Sequence, residues 1–99
     1  MRSVLIDTNL LVLLVVGLCN RDYISTHKRT RIFSVEDYDL LLKEIEGFEV
    51  IWITSHCIAE ASNLLKQTNR NRARELLTFL SKLAGKIQGI TYRKITIIR

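Results

Sequence analysis

Ninety-nine residues with 15 Lys and Arg against 10 Asp and Glu, a formal charge of +5, leave room for a single domain over 1–99 with one modest core. With 47% hydrophobic residues, no proline and four glycines, the composition excludes the disordered, collagenous and low-complexity classes. Cys19 and Cys57 stand far apart with no CxxC pairing, which excludes a disulfide scaffold and reads as two reduced thiols in a cytoplasmic protein.

In chain order, Val4-Leu5-Ile6 is a short aliphatic strand ending at the polar triplet Asp7-Thr8-Asn9, and Leu10 to Leu18 then runs without a polar residue. The pattern reads as strand, polar turn and buried helix, with Thr8 or Asn9 as the cap and Gly17 or Asn20 as the stop. Arg2 and the apolar run superficially resemble a secretory signal. Asp7 and Asn9 interrupt the approach, Leu18 occupies the place before Cys19 where a small residue is needed, and the run is too short to span a bilayer.

Residues 20–33 lack a period and carry His27, Lys28, Arg29 and Arg31, so they are expected to form a surface loop. Ser34 with Asp37 forms a capping-box pattern, and Val35, Tyr38, Leu41, Leu42 and Ile45 follow at helical spacing up to Gly47. Val50 to Thr54 has the branched and aromatic content of a buried strand, and Ser55 is placed to cap a helix over 56–67. A further helix over 70–85 repeats Ala73, Leu76, Leu77, Leu80, Leu83 and Ala84, and residues 90–98 read as a last strand.

Strands alternating with helices predict an α/β domain with a parallel sheet and flanking helices. In such sheets ligands collect outside the carboxyl ends of the strands, which singles out Asp7-Thr8-Asn9 and Thr54-Ser55-His56. A carboxylate at Asp7 needs compensation, either from helix N-terminal amides or from a hard dication. Glu60 is the sole acid of its segment and shares a helical stripe with Asn63 and Gln67, which by itself reads as an ordinary solvated face.

Val-Leu-Ile-Asp7-Thr8-Asn9 before an apolar helix, followed by Thr54-Ser55-His56-Cys57-Ile58-Ala59-Glu60-Ala61-Ser62-Asn63-Leu64-Leu65, resembles two successive signatures of the PIN (PilT N-terminus) domain family of metal-dependent ribonucleases. The resemblance covers roughly residues 3–86. It implies a PIN-like parallel sheet in which Asp7 and Glu60 are catalytic ligands of Mg²⁺ or Mn²⁺, with Thr8, Asn9 and Asn63 in support, and RNA as the substrate. Family members continue to a third acid and often a fourth, whereas here no Asp follows Asp39 and Glu75 is the only acid after Glu60. The resemblance therefore implies the N-terminal portion of the family fold, truncated at its C-terminus and incomplete as an enzyme by itself. The alternative is a non-catalytic PIN-derived module that binds RNA or protein.

Nine of the residues after Glu60 are basic, and Lys66, Arg70 and Arg74 recur every fourth position. With Lys28, Arg29 and Arg31 they are the candidate contacts to an RNA backbone, against the plainer readings of surface solubility or an acidic protein partner. His27 is expected to be an ordinary solvated loop residue, against a phosphate-contacting role, His56 to be satisfied by neighbouring backbone rather than to touch substrate, and Tyr38 and Trp52 to be core. No membrane association is expected. The strand at 90–98 would leave an open sheet edge where a second copy or another chain could pair.

Overall fold

A computed structural model describes residues 3–48, 50–84 and 92–95, with 84 and 92–95 as backbone alone. Strand β1, Ser3–Leu5, leads into helix α1, Thr8–Cys19, and a 3₁₀ turn at Arg21–Tyr23. Helix α2, Val35–Glu46, strand β2, Val50–Thr54, helix α3, Ser55–Leu65, helix α4, Arg70–Ala84, and strand β3, Tyr92–Ile95, follow. The class is mixed α/β, as expected.

β2 is the central strand, paired with β1 in parallel from Ser3↔Val50 to Leu5↔Trp52 and with β3 in antiparallel from Ile51↔Ile95 to Thr54↔Tyr92. Its place follows from its composition: Val50, Ile51 and Ile53 are buried without polar alternation, the mark of a strand covered on both faces. The direction of β3 corrects the expectation of a parallel sheet. A single helix between strands returns the chain for a parallel pairing, but here α3 and α4 are joined through residues 66–69 and pack together. Such a helical hairpin brings the chain back to the end of the sheet it left, so the next strand runs the other way. β3 does lie at a sheet edge; residues 90, 91 and 96–98 of the expected strand, like Gly85 beyond α4, lie outside the described residues.

α1 is apolar all round, and Leu11 through Gly17 are buried without exception because α2, α3 and α4 all pack on it. Gly17 does not end the helix, which runs to an Asn20 cap; it is the seat on which the Tyr38 ring of α2 lies. The capping box of α2 is present in both directions, Asp37 N–H to Ser34 Oγ at 3.1 Å and Ser34 N–H to Asp37 Oδ2 at 2.9 Å. α3 is capped by Thr54 rather than Ser55, through Cys57 N–H to Thr54 Oγ1 at 3.0 Å. α4 buries Leu76, Leu80 and Leu83 at helical spacing, and Asn69 caps it by accepting from Arg72 N–H at 2.8 Å.

The segment 20–33 is a series of turns, as its lack of period suggests, but it is anchored inward. Ile24, His27 and Thr30 are fully buried. The His27 ring donates from Nε2 to the Leu65 carbonyl at 3.2 Å and accepts Arg29 N–H on Nδ1 at 3.1 Å, while Thr30 Oγ1 donates to the Ile24 carbonyl at 2.8 Å. Among the described residues no buried side-chain nitrogen or oxygen is left without a partner. No helix among them is long and apolar enough to cross a membrane.

Candidate functional site

The parallel pairing of β1 with β2 puts the ends of both strands, and the starts of α1 and α3 that follow them, at one side of the sheet. Asp7 itself, not Thr8 or Asn9, is the cap of α1, accepting Leu10 N–H on Oδ1 at 2.9 Å. Half of the dilemma posed by that carboxylate is thereby resolved, since one oxygen is satisfied by a helix amide. Glu60 lies in the second turn of α3 and reaches across to the other signature, accepting the Thr8 hydroxyl on Oε1 at 2.9 Å. Residues 52 positions apart in the chain are joined by that bond.

His56 takes part as well. Its Nε2 stands 3.3 Å from the same Glu60 Oε1, one helical turn earlier on α3, with the imidazole 81% exposed. It is not satisfied by backbone as expected. The available signal was the i,i+4 spacing of His56 and Glu60, which places both side chains on one helix face. Asn9 and Asn63 are exposed on α1 and α3, and neither hydrogen-bonds to Asp7, Thr8 or Glu60. Gln67 leaves the expected stripe altogether, lying beyond the end of α3 and accepting Arg29 Nε at 2.6 Å.

The donor set of hydroxyl and carboxylate oxygens at the two strand ends suits a hard dication. Asp7 and Glu60 would hold it and Thr8 would orient Glu60. Enclosure is lacking: among the described residues no three His, Cys, Asp or Glu side chains gather into a group that could hold a metal ion. An ion there would keep several waters, as Mg²⁺ commonly does when bound by one or two carboxylates. Of the other acids, Asp22 lies in the 3₁₀ turn, Asp37 is spent in the α2 cap and Asp39 pairs with Arg21 at 2.9 Å.

The basic residues divide into two kinds. Lys66, Arg70, Arg74 and Lys82 line an open groove of about 780 Å³ along α4, with Ala73 and Leu77 also in its wall. The chain breaks at residues 66–69, yet Lys66, Arg70 and Arg74 still share one face. Arg29 approaches the same end of α3 through Gln67, and Lys28 and Arg31 are exposed beside it in sequence. Arg72 is committed elsewhere, lying 4.0 Å from the centroid of the Tyr23 ring and donating to Thr26 Oγ1 at 2.8 Å. It fastens the 20–33 segment to α4.

Comparison with protein-family models, curated proteins and solved structures finds no match. The geometry therefore stands by itself.

Glu75, which the sequence offers only as the last acid, accepts the Cys19 thiol at 3.5 Å. Burial, and then the hydrogen bond and charge of Glu75, push that thiol up to about 11. Hydrogen bonding to Glu75 also holds the Tyr23 phenol above its usual range. A thiol so far from ionisation at neutral pH is a poor nucleophile and a poor metal ligand, in keeping with its reading as a structural cysteine.

Proposed function

We propose that the side chains of Asp7, Thr8 and Glu60, at the starts of α1 and α3, form a PIN-type divalent-cation site acting on RNA phosphodiesters, and that it is incomplete as a catalyst by itself. The observation that carries this reading is the Thr8 to Glu60 hydrogen bond, which ties the two signature segments together at the ends of adjacent parallel strands. Asp7 and Glu60 supply carboxylate oxygens, Thr8 fixes the Glu60 rotamer, and the N-termini of α1 and α3 favour the approach of a phosphate. Asp7 and Glu60 would hold Mg²⁺ or Mn²⁺, and the chemistry such an ion would supply is polarisation of a phosphate and activation of water. Two carboxylates would offset only part of the charge of a hydrated dication, so they would position it loosely, and small misplacements of a reacting group cost large factors in rate.

The test is cleavage of a labelled RNA by highly purified chain with Mn²⁺, alongside Asp7→Asn and Glu60→Gln prepared in parallel. Slow cleavage is expected, falling by about 100-fold or more in either variant because each removes a ligand to the ion. Equal cleavage by wild type and variants marks a contaminating ribonuclease and removes the reading. Fast cleavage lost in both variants overturns the incompleteness but keeps the site.

The α4 groove favours a second reading, an RNA-binding module without catalysis. Lys66, Arg70 and Arg74 on one face can neutralise successive phosphates, and the counterions they release make binding salt-dependent. Replacing all three with Gln is expected to weaken single-stranded RNA binding at low salt and to reduce the slope of log affinity against log salt by about 2, from roughly 0.7 per phosphate contact. An unchanged slope in a salt titration takes the groove out of RNA recognition.

A further inference from the structure

His56 belongs to neither signature as a functional residue, and a hard-oxygen site does not explain its position beside Glu60. We propose that His56 and Glu60 form a chelating pair that selects a first-row transition dication, of the Mn²⁺ to Zn²⁺ series, over Mg²⁺. The inference rests on the metal-site reading of Glu60 and adds a nitrogen donor to it.

The spacing fits chelation. Two donors each about 2.1 Å from one ion stand roughly 3.0–3.4 Å apart when the angle at the ion lies between octahedral and tetrahedral values. His56 Nε2 and Glu60 Oε1 are 3.3 Å apart. The helix enforces this separation, since positions i and i+4 lie one above the other on the same face. Glu60 is held from the other side by the Thr8 hydroxyl at 2.9 Å on the same Oε1. A carboxylate oxygen has two lone pairs, so with Thr8 on one of them Glu60 Oε1 keeps a second for an ion. A hydroxyl in that role orients a metal-binding carboxylate much as outer partners do in established metal sites.

Selectivity follows from donor chemistry. Mg²⁺ prefers oxygen and gives up water reluctantly, whereas imidazole nitrogen suits the later first-row ions increasingly from Mn²⁺ towards Cu²⁺. The imidazole is 81% exposed, so turning to meet an ion disturbs no packing. Among the described residues no third His, Cys, Asp or Glu gathers with this pair, Asp7 included, so the other coordination positions of an ion held by His56 and Glu60 stay open to water or to a phosphate oxygen.

The sequence makes the test unusually clean, because the chain has two histidines and His27 is fully buried with both ring nitrogens engaged. Any imidazole on a bound ion must come from His56. Untagged full-length chain is titrated calorimetrically with Ni²⁺ and with Mg²⁺ at one fixed pH, using wild type, His56→Ala, His56→Gln and Glu60→Gln. Cu²⁺ bound to the same proteins is examined by electron paramagnetic resonance for imidazole nitrogen coupling. Wild type is expected to bind Ni²⁺ at least tenfold more tightly than Mg²⁺. Both His56 variants should lose about tenfold in Ni²⁺ affinity, keep Mg²⁺ affinity within twofold, and lose the nitrogen coupling. If they retain Ni²⁺ affinity or coupling while Glu60→Gln weakens both ions, His56 is a surface neighbour and this inference alone is overturned. If Glu60→Gln changes neither ion, the metal-site reading falls and the inference with it.

Discussion

His27→Ala is expected to destabilise the fold by about 3–5 kcal/mol, the cost of two newly unpaired buried backbone groups plus a side-chain cavity. The ring fills a fully buried position and spans two elements, donating to the carbonyl of Leu65 at the end of α3 and accepting the amide of Arg29 in the 20–33 segment. A carbonyl can only accept and an amide can only donate, so the two bonds require the Nε2–H tautomer. Water entering the cavity would recover part of the loss, which sets the lower end of the range. For a domain of this size, whose total stability is about 5–15 kcal/mol, the midpoint of thermal unfolding should fall by about 12 °C or more. Lys28→Ala, at an exposed neighbour, should stay within about 0.5 kcal/mol of wild type. Circular dichroism melts of both decide the matter; a His27→Ala midpoint within a degree or two of wild type would show that the anchor carries no weight.

That anchor also shows where the sequence stops being legible. Segment 20–33 has no hydrophobic period, so nothing in its pattern marks Ile24, His27 and Thr30 as interior. Their burial depends on partners 38 positions away for His27, and local patterning has no access to such partners. The capping box at Ser34 and Asp37 was readable because both residues and both bonds lie within one helical turn. The direction of β3 lies between these cases. Its existence follows from composition, but its orientation depends on α3 and α4 forming a hairpin, a path that strand propensity does not record.

The candidate site divides in the same way. Asp7-Thr8-Asn9 and the segment around Glu60 stand out locally in the sequence, and the structure joins these two segments by the Thr8 to Glu60 hydrogen bond. The cap was misplaced by one or two residues, since Asp7, Thr8 and Asn9 are all competent N-caps and only backbone geometry chooses among them. His56 was passed over because a histidine near a helix start commonly finds a backbone partner. Its i,i+4 relation to Glu60 was the better guide. Lys66, Arg70 and Arg74 recur every fourth position, yet α3 ends at Leu65 and α4 begins at Arg70; the three nevertheless line one groove, a proximity that spacing across a helix break does not reveal.

Gly17→Ala should destabilise the protein although it replaces glycine within a helix, where alanine would ordinarily gain about 1 kcal/mol. The reason is steric. A methyl group at position 17 would overlap the ring of Tyr38, whose Cε1, Cδ1 and Cζ are its nearest neighbours. The overlapped atoms belong to a flat, rigid ring, and Tyr38 is only 2% exposed on the buried face of α2, so the ring cannot swing aside as the end of a flexible chain would. Relief requires α2 to move away from α1 at the centre of the core, and overpacking of this kind costs about 1–3 kcal/mol, more for Gly17→Val. The helical gain is thus outweighed in the alanine variant and overwhelmed in the valine one. A double-mutant cycle separates the two contributions. In a Tyr38→Ala background the ring is gone, so adding Gly17→Ala should change sign and stabilise by about 0.5–1 kcal/mol through helix propensity alone. Denaturant unfolding of the four proteins measures this directly. A Gly17→Ala effect that is the same with and without the Tyr38 ring would show that α1 and α2 do not meet at this point.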